Sequence, residues 1–156
     1  NTEDNSGSSF LQMFYDKWQP ELIDYMTNAR NGHKYDFKVS NGESTSILGS
    51  KPDPYRGMPI GKGSDEKNIY ASARDIGNIA AGYVAGANGI GWISARAAFD
   101  GYQILSNILS SSISDNIKTG FRRESLSTRV PEYYGWTRGY LNYNHKRRIN
   151  WYLYDK

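Results

Sequence analysis

The sequence predicts a mostly helical α+β domain, and three observations predict it. Apolar residues recur at helical spacing between Phe10 and Ala29. Residues 33–39 alternate apolar and polar, as a short half-buried strand does. The stretch from Asn68 to Ser111 is rich in Ala, Ile and Gly, which suits helices that pack closely. At 156 residues with no cysteine, the chain is one ordinary domain that builds its core without disulfides.

In chain order, residues 1–8 read as a flexible leader and residues 9–156 as the single domain. Ser9 is positioned to cap a helix carrying Phe10, Leu11, Phe14 and Trp18. Pro20 and Glu21 suit the first turn of a second helix with Leu22, Tyr25, Met26 and Ala29 on one face, ended by Asn31-Gly32. In the expected strand, Tyr35, Phe37 and Val39 face inward and Asp36 and Lys38 outward. Residues 40–68 hold three of the five prolines and no sustained period, which is a long loop with room for a short hairpin. A helix with Ile69, Ala73, Ile76, Ala80, Tyr83 and Val84 on one stripe follows, broken at Gly86–Gly91. A second runs from Trp92 to Leu109, and these two small-residue helices are expected to pack on each other as the core. The segment 113–121 reads as a short helix ended by Gly120. The alternation at Ile149–Leu153 and the aromatic density before it suggest strands at the C-terminal end, with helix the alternative.

Composition excludes several classes of function. There are no thiolate nucleophiles, and two histidines cannot form a three-histidine metal site. A divalent metal would need oxygen ligands such as Asp or Glu. No stretch is apolar over the length of a membrane span. The first residues, NTEDNSGSSF, form no signal peptide, and with no initiator Met the chain reads as a piece of a longer or matured protein. No phosphate-binding loop, GxSxG, HExxH or EF-hand loop occurs. Charge is uneven. Residues 121–156 carry eight Lys/Arg against three Asp/Glu, while the rest carries eleven against thirteen.

Four residues are candidates for chemistry. Asp36 and Lys38 offer a general base or metal ligand beside a cation that stabilises a developing anion; a solvated strand face is the plain alternative. Asp75 and Asn78, at i and i+3 on a helix, share a face on which a carboxylate and an amide can hold water, a metal or a substrate group. The plain alternative pairs Asp75 with Arg74 or a distant arginine and leaves Asn78 capping a turn. Arg96 and Asp100 read as a surface ion pair. His33 and His145 have the pKa for work near neutrality but no neighbours in sequence that mark them as catalytic. Arg138, Lys146, Arg147 and Arg148, interleaved with Trp136 and several tyrosines, suit a single-stranded nucleic acid, with cations for phosphates and rings for stacking. The same rings suit sugars.

Through Tyr35-Asp36-Phe37-Lys38, then Asp75-Ile76-Gly77-Asn78, then Gly82-Tyr83 and Gly86, the sequence resembles the type 44 domain of bacterial polymorphic toxins. In that family the corresponding elements are W-D-Y-K, an acidic-F-G-N motif and Y-G-x-T-G, so Tyr35 stands for Trp and Ile76 for Phe. The downstream acidic motif is reduced here to Asp115-Asn116-Ile117-Lys118 with Gly120. The resemblance spans residues 33–105. It implies a toxic tip carried by a larger secreted delivery protein of the Rhs or VgrG kind and countered by a cognate immunity protein.

Residues and resemblance together lead to an antibacterial effector that cleaves RNA in the cytoplasm of a target bacterium. Asp36 or Asp75 would be base or metal ligand, Asn78 would position substrate and Lys38 would stabilise charge on phosphorus. Arg138, Lys146, Arg147, Arg148 and Trp136 would hold the strand. Two alternatives are a periplasmic enzyme that cuts peptidoglycan and a toxin or binding module without catalysis.

Overall fold

The computed structural model describes residues 5–29, 33–37, 57–100 and 126–154. Helix α1 spans Ser6–Asp16 and α2 Leu22–Asn28. A hairpin of β1 (Gly57–Lys62) and β2 (Asn68–Ser72) leads directly into α3 (Ala73–Ala87). Residues 92–100 are helical and are called α4; α5 spans Leu126–Tyr154. The fold is mostly helical α+β, with a two-stranded antiparallel sheet.

Helix α1 begins three residues before the expected cap at Ser9, so residues 6–8 belong to it and not to a leader. Tertiary packing explains the earlier start. Gly7 is buried against Ile76 and Met58, where any side chain would collide with Ile76. Leu11 and Phe14 follow on the same face. Phe14 then meets Phe10, Trp18, Tyr25 and Tyr35 with ring centroids 5.1–5.6 Å apart. Such edge and tilted pairs add about 0.5–1.5 kcal/mol each beyond the area they bury.

The strand expected at 33–39 does not form over its described part. Tyr35, Asp36 and Phe37 are buried in succession, which a period of two cannot produce. The segment is a turn instead, closed by the Asp36 amide donating to the His33 carbonyl at 3.0 Å and anchored by the Tyr35 amide on the Asn28 carbonyl at 2.9 Å. A hairpin does occur, but its second strand takes residues 68–72, the expected beginning of the small-residue helix. Ile69 pairs with Gly61 and Ala71 with Met58. The helix starts at Ala73 because Ser72 and Asp75 form a reciprocal capping box. It stops at Asn88, inside the break expected over Gly86–Gly91, and Gly89 then takes a positive φ of 74° against the Tyr143 ring.

The C-terminal strands are also replaced. Residues 126–154 form one helix, about 43 Å long at the usual rise. Its partner is α3, and the two run parallel. Arg74 lies against Thr128, Ile79 against Gly135, Tyr83 against Gly139, and Gly89 against Tyr143. Gly82 and Gly86 of α3 face the backbone at Glu132 and at Trp136–Tyr140, while Gly135 and Gly139 of α5 face the carbonyls of Ile79 and Tyr83. A Cβ at any of the four would strike backbone. Two glycine pairs at a spacing of four therefore let the helices touch main chain to main chain, where Cα–H groups reach carbonyl oxygens. Close packing through small residues is thus present, and among the described residues α3 achieves it with α5.

The expected ending of α2 at Asn31-Gly32, the residues Lys38 and Val39, the continuation of α4 to Leu109 and the segment 113–121 lie outside the described residues.

Candidate functional site

Three features surround the α3–α5 seam. The first is a buried polar cluster. Tyr25 projects from α2 into the core and its hydroxyl donates to the Gly77 carbonyl of α3 at 3.2 Å. Burial pushes the phenol well above its ordinary range, and the nearby charges of Asp36 and then Glu132 push it further. Both carboxylates are themselves buried, Asp36 at 7% and Glu132 at 3% exposure. Glu132 is ion-paired with Arg96 of α4, which also pairs with Asp100 at 2.8 Å and lies over the Trp92 ring at 5.9 Å. Asn78 follows Gly77 on α3, and its amide nitrogen is buried without a hydrogen-bond partner. Two carboxylates, a phenol and a guanidinium thus gather around one stretch of the seam.

Of the sequence-predicted residues, Asp36 joins this cluster; Asn78 follows in sequence the glycine whose carbonyl accepts from Tyr25. Lys38 lies outside the described residues. Arg96–Asp100 is a pair as expected, but it is drawn inward by Glu132 and is no surface bridge. Sequence reasoning missed Glu132. The signal was present: Thr128, Glu132, Gly135 and Gly139 recur at spacings of four, three and four, one stripe of a helix. An acid in a row of glycines is a buried acid. Reading the segment as strands hid the row.

The second feature contains Asp75. Its Oδ2 accepts from the Ser72 hydroxyl at 2.7 Å and the Ser72 amide at 3.3 Å, while the Asp75 amide donates to Ser72 Oγ at 3.2 Å. The carboxylate therefore caps α3 and makes no described pair with Arg74, whose guanidinium donates to Thr128 Oγ1 at 3.1 Å. Asp75 also lines an open, mostly apolar groove of about 420 Å³ between the hairpin, α3 and α5. Among the described residues, no hydrogen bond or ion pair joins Asp75 to Asp36.

The third feature is a half-buried aromatic face of α5 that packs on residues 89–92. Tyr133, Trp136, Tyr140 and Tyr143 recur at spacings of three, four and three. They stack along the helix with centroids 5.7, 4.9 and 6.1 Å apart and interplanar angles of 19–29°. Trp92 abuts the near end of the ladder, and the Trp136 indole donates to the Ile90 carbonyl at 2.8 Å. Trp136 is thereby held in place by the fold. Arg138 lies over the Tyr15 ring at 4.0 Å, and burial raises the Tyr15 hydroxyl to about 12 against the opposing pull of that cation. Lys146 donates to the Gln19 side chain at 2.6 Å. His145, Arg147 and Arg148 are exposed, as is His33 at the other end of the molecule's sequence.

Among the described residues, no group of three or more His, Asp or Glu is arranged to hold a metal ion, and no helix is long and apolar enough to cross a membrane. No known protein family, curated protein or solved structure matches this chain.

Proposed function

We infer that this chain is the toxic domain of an antibacterial effector, a hydrolase whose substrate is RNA. The observation that carries the reading is the pair of buried carboxylates, Asp36 and Glu132, beside the Tyr25 hydroxyl. Buried charge contributes less to stability than apolar packing of the same volume, so its presence calls for another use. Asp36 would take the proton from the attacking hydroxyl or water, and the unpartnered Asn78 amide would donate to a phosphate oxygen. Glu132 is held by Arg96 and so serves to fix that guanidinium beside the site, where its charge opposes the charge developing on phosphorus. Lys38, two residues after Asp36, would add a second cation. Arg147 and Arg148 lie exposed beyond the aromatic ladder, as a strand-holding surface requires. Trp136 belongs to that ladder, and Lys146 and Arg138 would join the surface on leaving Gln19 and the Tyr15 ring. With the resemblance to type 44 toxins, the reading implies a larger delivery protein and a cognate immunity protein.

The test is growth of a susceptible bacterium expressing residues 1–156 in the cytoplasm or behind a periplasmic signal, beside Asp36→Asn. Killing from the cytoplasm with degraded RNA, abolished by Asp36→Asn, is the expected result. Killing only from the periplasm would transfer the activity to the cell wall. Absence of killing from either compartment would end the toxin reading.

A further inference from the structure

The groove at Asp75 has a chemistry of its own. Its floor and walls are the apolar faces of Ile69 from β2 and Ile79 from α3, with Val130 at the start of α5. Two tyrosines stand at its edges, Tyr70 from β2 and Tyr134 from α5, 60% and 44% exposed. Asp75 is the one charged residue among the described residues of the lining. A carboxylate offers about four lone-pair positions, and the described bonds to Ser72 use two of them, both on Oδ2. Oδ1 takes part in neither of these bonds.

Among the described residues no lysine, arginine or histidine lines the groove, so none of them would hold a polyanion here. The combination instead matches a cation with an apolar body. The apolar walls cover part of the body, the tyrosine rings at the edges can attract the charge through their quadrupoles, and the carboxylate offsets it. A volume of about 420 Å³ lies within the range of small-molecule sites. We propose that this groove is a binding site for a small organic ammonium ion, anchored by Asp75 Oδ1 and flanked by the rings of Tyr70 and Tyr134. The site is separate from the buried Asp36–Glu132 cluster, and the RNA-cleavage reading stands or falls without it.

The experiment is an amide chemical-shift titration of the purified chain with choline. Beside it runs the neutral carbon analogue in which a tert-butyl group replaces the trimethylammonium group. The two probes share shape and differ in charge. Choline is expected to shift the amides of Tyr70, Asp75 and Tyr134 and to bind about tenfold more tightly than the analogue. Asp75→Asn removes the charge and keeps an oxygen for the Ser72 cap, and it is expected to weaken choline by about tenfold while leaving the analogue unchanged. Tyr134→Leu keeps an apolar side chain at an exposed position, so the fold survives it even where Asp75→Asn does not; it is expected to weaken choline alone. Equal affinity for the two probes would reduce the groove to an uncharged apolar cleft and overturn the proposal. So would shifts confined to other residues, or no binding at millimolar choline.

Discussion

Between Thr128 and Tyr143, α5 lies along α3, buries Thr128 and Glu132 and brings Gly135 and Gly139 against its neighbour's backbone. From His145 to Asn150, the same helix is exposed at every position. The first half carries glycines, one buried acid and a ladder of rings; the second carries Lys146, Arg147 and Arg148. One helix thus serves as a core element and as a cationic arm, and the change comes where the glycine row ends. The lesson is that the docked half holds the buried contacts, while Arg147 and Arg148 are exposed, so substitutions in the two places should have separable effects.

The largest expected effect comes from removing the cation paired with the buried acid. Arg96→Met takes the guanidinium from Glu132, and should destabilise the chain by about 3–5 kcal/mol in a denaturant melt. Gly135→Ala puts a methyl group against the Ile79 carbonyl, where backbone cannot give way as a side chain would. A loss of about 2–3 kcal/mol is expected, and a near-neutral result would break the account of the seam. Ser72→Ala removes the cap at the start of α3 and should cost about 1 kcal/mol. At the small end, Arg147→Gln with Arg148→Gln should leave the melt within about 0.5 kcal/mol of wild type.

Alkaline titration sharpens the same comparison. Tyr15 packs under Arg138, on the docked half, with its hydroxyl raised to about 12. The folded chain therefore holds that proton more tightly than the unfolded chain does. Its contribution is complete below the unfolded pKa near 10 and is lost as pH rises towards 12. Tyr25 shifts in the same direction. Tyr15→Phe should flatten part of the fall in thermal midpoint above pH 10, read by circular dichroism.

How much of this was legible follows from where each signal lived. The aromatic stripe of α1 and the small-residue packing of α3 were readable because they depend on local spacing. The partner of α3 was not, since parallel pairing with α5 joins segments more than fifty residues apart in sequence. At Ile69–Ser72 a helical period extended by chance into a strand, although Ser72-x-x-Asp75 is itself a helix-start signal. Tyr35-Asp36-Phe37 imitated alternation because a buried carboxylate looks polar in sequence whichever way it points. That same burial is what makes Asp36 a better candidate for chemistry than an outward-facing residue on a strand. Asp75, weighed equally with it, turns out to be engaged in a cap. Glu132 became visible only when its segment was seen as a helix.

The central claim is that Asp36 does chemistry and the arm holds substrate. The most direct test is cleavage of single-stranded RNA by the purified chain, wild type beside Asp36→Asn and the Arg147→Gln/Arg148→Gln pair, at several salt concentrations. Asp36→Asn should lower kcat by about 100-fold or more with little change in KM. The arginine pair should raise KM, keep kcat, and make the logarithmic salt dependence shallower by about 0.7 for each lost contact. A wild-type protein that leaves RNA intact, or an Asp36→Asn variant that cleaves at the wild-type rate, would contradict it.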